Sequence, residues 1–436
     1  MDPRVIPDHP QRYALANELH ARPFPEIRAP CRAVHLAIMS EAGADRNPEE
    51  DRAHLLALLD RYGAQHPHPE ANHYSGSLGT AHLKWERHTE FVTYTLFAEG
   101  VADTPFDGST LKMFPDEWLA SAPGRVLTSA LVRVEVRDDL DAATQELRNG
   151  LAKFFAPESL AVARVVDDSA LVVSDFRIHE HGQIRFLALV RPEVGPRRIG
   201  RIVQRLLEIE TYKAASMLTL PVARHVAARV NDLDRELSSL VRQMADKAGE
   251  DGATLERLLE MSADLEALSA NSAFRFGAGG AYEAILNQRI EVLREQRAAG
   301  RQTFGEFMMR RYEPAMRTCR SAERRLRELS ARTERAANLL RTRVDVGLAQ
   351  QNRTLLESMD RRAALQLRLQ ETVEGLSVVA ISYYAVSLAG YLLAPAGTAF
   401  GLSKEAVIAL VTVPTILVVW SFVRRIRRGL NKRRGG

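Results

Sequence analysis

Hydrophobic positions along the chain follow two different periods, and a long uncharged stretch comes last. Up to residue 195, runs rich in β-branched and aromatic residues at 32–39, 82–98, 126–136, 160–166, 170–178 and 183–190 predict strands. The last two flank His179-Glu-His-Gly182, a good hairpin turn. Helical spacing at 11–20, 48–62 and 140–155 supplies covering helices. These elements predict an α+β first domain over 1–195, with an antiparallel or mixed sheet.

After Gly195-Pro196 the spacing becomes helical, over 197–217 and 222–247, separated by Pro221. Helices at 254–268 and 282–297 follow, and FGAGGA at 276–281 reads as a linker between them. From 315 to 394 no proline occurs, and the glycines are Gly347, Gly375 and Gly390. A nearly continuous stalk helix of about eighty residues, on the order of 120 Å, is expected within and beyond a helical region at 196–374. Its apolar positions Leu340, Val344, Leu348, Leu355, Met359 and Ala363 repeat mostly at fours. A narrow apolar stripe on a long helix needs a partner, so homo-oligomerisation through it is the economical expectation.

No charged side chain lies between Glu374 and Lys404. Residues 375–394 are about long enough to cross the ~30 Å hydrocarbon core of a bilayer as a helix. A second apolar run occupies 406–423, and Pro395-Ala-Gly-Thr398 reads as the turn between the two. In hydrocarbon every backbone polar group must be paired internally, so the expectation is a transmembrane hairpin over 375–423 with lipid as its partner. The tail at 424–436 holds Arg424, Arg425, Arg427, Arg428, Lys432, Arg433 and Arg434. Basic flanks stay on the cytoplasmic side, and the first residues carry no hydrophobic signal core. Both termini are therefore expected in the cytoplasm.

Composition narrows the function classes. Apolar residues at 46% and charged residues at 26% exclude wholesale disorder. Two cysteines exclude a disulfide scaffold or a multi-thiolate zinc ribbon. The net charge of +4 comes from the tail, so the rest of the chain is slightly acidic and no nucleic-acid partner is expected.

Three groups of residues carry candidate chemistry. In WERHTEF, Glu86, His88 and Glu90 would share one face of a strand, as a divalent-metal set or an acid/base set. The bland reading, a solvated polar sheet face, is favoured over it. In ELHARPF, Glu18, His20 and Arg22 sit at a helix end, where His20 would act as a C-cap and Arg22 would bridge to a carboxylate. The alternative gathers His20 and Arg22 with the WERHTE strand into one anion or metal pocket. In the first apolar run, Ser377, Tyr384 and Tyr391 recur every seven residues beside Ser387. That stripe either joins helices by hydrogen bonds or lines a water-filled path with Glu374 as an acidic ring at its mouth; a simple anchor is favoured. No Walker lysine, nucleophile elbow or His-Glu-x-x-His spacing occurs, so an enzyme is not the leading expectation. A divalent metal ion is the one cofactor the residues suggest.

The blocks HPQRYALANELHARPFPEIRAP (9–30), HLKWERHTEFVTYT (82–95), RLLEIETYKAASMLTLPVAR (205–224) and TVEGLSVVAISYYAVSLAGYLL (372–393) resemble the bacterial membrane-anchored family known as domain of unknown function 3422. The resemblance covers nearly the whole chain and implies a cytoplasmic domain tethered to the inner membrane; it brings no established activity. The order of parts also resembles the CorA-type divalent-cation channels. Their Gly-Met-Asn signature is absent here, where Tyr391-Leu-Leu-Ala-Pro-Ala-Gly397 stands. Three functions stay open: an oligomeric membrane-anchored binding or scaffolding protein, a CorA-like channel, and a tethered metal-dependent enzyme.

Overall fold

A computed structural model describes residues 6, 8–18, 24–40, 46–149, 151–246, 251–399, 401 and 403–433; the side chains of 14, 17, 18, 147–149, 151, 152, 246, 398 and 426–433 lie outside that description. The chain divides into two compact units, Met1–Ala337 and Asn338–Gly436.

The first unit is built on a nine-stranded sheet in the order β2-β3-β4-β1-β5-β8-β7-β6-β9. The strands are β1 Cys31–Met39, β2 His73–Leu78, β3 Ala81–Arg87, β4 Phe91–Glu99, β5 Arg125–Val136, β6 Ala161–Val165, β7 Ala170–Ser174, β8 Ile184–Val190 and β9 Gln296–Arg297. Paired neighbours run antiparallel except β5 and β8, which the long connection through β6 and β7 brings together in parallel. Helix α1 is Arg12–Glu18. Helix α2, Pro48–Arg61, starts at Asn47, whose side chain accepts from the Glu49 amide at 3.1 Å, with Pro48 in the first turn. Its Leu55, Leu58 and Leu59 pack on the sheet face formed by Val34, Leu36, Ile38, Leu83, Trp85, Tyr94 and Leu96, together with Trp118 of α3 (Asp116–Ala120). Helix α4, Leu140–Asn149, adds Leu140 and Ala143 to this core.

The opposite face takes the alternate residues of the same strands. It is covered by α5, Pro196–Met217, whose buried Ile199, Ile202, Val203 and Leu206 recur at helical spacing. The expected boundary after residue 195 is thus a change of element type inside one unit. Helices α6 (Thr219–Asp246), α7 (Asp251–Glu291) and α8 (Phe304–Arg311) follow, and the first part of α9 (Glu313–Ala399) joins them through Arg320–Glu283 and Arg332–Asp234 pairs.

Three sequence expectations are corrected, and one strand is added. The run 82–98 is two strands with a turn at 88–90. Edge strand β2, with the polar sequence HYSGSL, has no alternating apolar face and was not anticipated. FGAGGA is not a linker, because α7 runs through it unbroken over 41 residues. Gly279 is why the helix tolerates glycine there: a Cβ would overlap the Thr219 hydroxyl, so the bare backbone lets α6 and α7 approach closely. Pro395 does not end the stalk helix either. Lacking an N–H, it forfeits one helical bond near the C-terminal end; α9 ends at Ala399 and the next helix starts at Lys404, with Gly401 at φ +77° between them.

In the second unit α9 continues to Ala399 and α10 spans Lys404–Arg433, with Pro414 inside it. Gly390 lies against Ile408, and Gly397 against Val407, so two glycines let the helices pack side by side. Replacing Gly397 with leucine is expected to splay this pair, read as a longer distance between spin labels on α9 and α10; an unchanged distance would refute the close-packing account.

Candidate functional site

A cleft of about 210 Å³ lies between the second sheet face and the helices that cover it. Its floor is a lateral row across three strands. Lys84 pairs with Thr95, and Thr95 with His35 in the strand register, while Glu86 pairs with Thr93 one step along. One face of α5 forms the wall, because Gln204, Glu208, Thr211 and Tyr212 are spaced by four, seven and eight residues. Arg289 of α7 closes one side, and Phe24, Phe97 and Leu207 are the apolar surfaces.

Hydrogen bonds tie floor to wall. Lys84 Nζ donates to Gln204 Oε1 at 2.9 Å and lies 3.2 Å from Glu86 Oε1. Gln204 Nε2 donates to Glu208 Oε1 at 2.7 Å, and the other Glu208 oxygen accepts from Arg289 Nε. Two opposite-charge pairs are thus linked through one amide. The Lys84 side chain is 8% exposed, and Glu86 is the carboxylate that matches its charge.

His35 lies at the bottom, with Nδ1 2.8 Å from Thr95 Oγ1 and Nε2 3.0 Å from Thr211 Oγ1. The Thr211 hydroxyl donates its single proton to the Leu207 carbonyl at 2.8 Å. It can therefore only accept from His35, which assigns the proton to Nε2 and leaves Nδ1 to accept from Thr95. Burial pushes the His35 pKa down to about 3, with smaller contributions from the charges of His88 and Lys84.

The sign of the pH effect follows. Folded His35 stays neutral where the unfolded chain takes up a proton, so its stabilising contribution is complete above about pH 6.5 and is lost as pH falls towards 3. The slope reaches about 1.4 kcal/mol per pH unit for one such group. Buried Glu210, raised by its burial, works in the opposite sense, so the effect is read as a difference between proteins. In urea unfolding at pH 7, 6 and 5, the advantage of the native chain over His35→Gln is expected to narrow as pH falls. A constant gap would show that His35 is not held neutral.

The residues expected from WERHTEF are divided. Glu86 and His88 line the cleft, but β3 ends at Arg87, and Glu90 points elsewhere. Buried Glu90 is held by the Arg275 guanidinium, with Arg275 Nη1 3.3 Å from Oε2, and accepts from the Tyr282 hydroxyl at 2.9 Å. The turn between the strands has broken the alternation, and Glu86 and Glu90 enter separate ion pairs, so the metal triad does not assemble. Among the described residues no group of three or more His, Cys, Asp or Glu is placed to hold a metal. Glu18 falls in α1 with its side chain outside the described residues, as do His20 and Arg22 entirely; Phe24 of the same motif lines the cleft.

In the second unit, Glu374 accepts from Gln370 at 3.2 Å, and the Ser377 hydroxyl donates to the Val373 carbonyl of its own helix at 2.8 Å. Tyr384 and Tyr391 are exposed, Ser387 is half-buried, and the side of α9 meeting α10 carries the two glycines.

Sequence reasoning missed His35, Lys84, Thr93, Thr95, Gln204, Glu208 and Arg289. A usable signal was present in β3 and β4, where polar residues occupy alternate positions, and in β1, where His35 stands alone among apolar neighbours. Nothing local connects them to α5 and α7, which are separated from β1 by well over a hundred residues.

No curated protein matches the chain. The profile of the family described as protein of unknown function (DUF3422) matches residues 7–430, nearly the whole length, and the chain belongs to that family.

Proposed function

We propose that the chain is a membrane-anchored, non-enzymatic binding protein: the apolar parts of α9 and α10 sit in lipid, and the first unit works in the cytoplasm as the binding module. The observation that carries this reading is the exposure of Leu376, Val379, Leu388 and Leu392 on α9 and of Leu410, Val413 and Val418 on α10. Each such side chain gains about 1.5–3 kcal/mol when removed from water. Two adjacent helices with this surface are therefore best served by hydrocarbon. Ring–cation pairs support the placement: Lys404 lies 5.5 Å from the Tyr391 ring centroid and Arg424 4.7 Å from that of Trp420, as suits side chains at a membrane interface. The basic tail favours the cytoplasmic side. Between the first unit and this apolar part, Val346, Leu355, Met359 and Leu365 of α9 are exposed as well, and a second copy of the chain is the proposed cover.

The test is fractionation of bacterial cells with an alkaline wash. The full chain is expected to remain with membranes until detergent is added, whereas a chain ending at Glu374 should pass to the soluble fraction. A full chain that washes free of lipid would overturn the reading. So would a C-terminal tag found accessible from outside.

A further inference from the structure

We propose that the cleft between the sheet and α5 binds a small uncharged ring compound, one with hydrogen-bond donors and acceptors around its edge and apolar faces. This deepens the binding role proposed above and rests on it only for biological context.

Size gives the first restriction. About 210 Å³ is below the roughly 300–1,000 Å³ of pockets that enclose drug-sized ligands, so the occupant is of single-ring dimensions.

Charge gives the second. The lining holds Lys84 with Glu86 and Arg289 with Glu208, each cation already matched by a carboxylate and the pairs joined through Gln204. A neutral His35 adds no charge. Apart from the lining imidazole His88, an ion entering here would give up its water for a wall with no uncompensated opposite charge. A zwitterion would meet the same difficulty at each end.

The remaining hydrogen-bonding capacity is of mixed sign. Lys84 has three ammonium protons, of which Gln204 and Glu86 take two. Glu86 and Arg289 also line the cleft, and each has polar atoms beyond the one its ion pair uses. These groups suit hydroxyl or amide edges, which can both donate and accept, without breaking either ion pair. Phe97 offers an aromatic ring, and Leu207 an aliphatic surface, to the faces of a ring. A monosaccharide and a neutral pyrimidine base share this chemistry.

The experiment uses the full chain in detergent and ligand-detected NMR titration. One arm contains glucose, galactose and mannose with glucuronate as the charged counterpart; the other contains uracil and thymine with orotate. Glutamine represents zwitterions. At least one neutral ring is expected to saturate with a dissociation constant of about 0.1–1 mM, and the corresponding ring acid to bind about tenfold more weakly or worse. The arm that responds identifies the source.

Glu86→Gln keeps an acceptor but leaves Lys84 unmatched, so it should shift the preference towards the ring acid by about tenfold. If that variant does not fold, Glu208→Gln makes the same test at Arg289. Absence of saturation by every neutral ring, tighter binding of the acids or of glutamine by the native chain, or an unshifted preference in the folded variant would each overturn the proposal. Such a failure leaves the membrane reading intact, and a failure of fractionation leaves this titration interpretable, so the two claims fall separately.

Discussion

Replacing Glu90 with alanine is expected to lower the stability of the first unit by about 3–5 kcal/mol. The carboxylate is fully buried, accepts from Tyr282, and neutralises an Arg275 side chain that is only 16% exposed. Its removal leaves a guanidinium in the interior with no partner for its charge, which costs more than the pair itself contributed. The same residue's carbonyl accepts from Arg46 at 3.2 Å, and Arg46 is in turn paired with buried Asp51. The β3–β4 turn is therefore held from both sides of the sheet. Urea unfolding followed by the fluorescence of Trp85 and Trp118 measures the loss. A change below about 0.5 kcal/mol, the usual range for surface substitutions, would contradict it. Adding Arg275→Met to Glu90→Ala should recover part of the loss, because an apolar pair of similar volume no longer carries an orphan charge.

The second large effect is a change of sign between two glycines. Gly200→Ala in α5 is expected to destabilise the unit by about 1–3 kcal/mol, although alanine is the better helix former by about 1 kcal/mol. A Cβ at residue 200 would overlap the Pro25 carbonyl, and that segment is tied to the start of α5 by the Ile27 amide, which donates to the Pro196 carbonyl at 3.2 Å. Backbone on both sides leaves little room to give. Gly280→Ala in α7 meets nothing within 4 Å and should stabilise by up to about 1 kcal/mol. Equal shifts at the two positions would show that helix propensity, and not the approach of residues 24–27, decides the outcome. Because Phe24 lines the cleft next to Pro25, Gly200→Ala should also weaken any ligand the cleft binds.

Most of the secondary structure was legible because it depends on short-range periodicity. The apolar, β-branched-rich runs of β1 and β5, the 3.6-residue spacing of α2 and α5, and the uncharged run after Glu374 each carry their signal within one element. Punctuation was less reliable. Gly279 and Pro395 looked like breaks, yet one is a contact point and the other a tolerated defect near a helix end. The meaning of a glycine or proline depends on what packs against it.

The cleft was half legible. Glu86 and His88 were named from a presumed strand alternation that also placed Glu90 with them, and a tight turn sends that carboxylate to α7. On α7, Arg275, Tyr282 and Arg289 follow one another at seven-residue intervals, so one helix face serves both Glu90 and the cleft. Taken alone, the sequence determined the class of the elements, the apolar C-terminal pair and the family, since these follow from local periodicity, charge and motif. Tertiary structure alone decided which polar residues meet. Lys84, Gln204, Glu208 and Arg289 come together because burying the apolar stripe of α5 on the sheet brings distant segments of chain within hydrogen-bond distance.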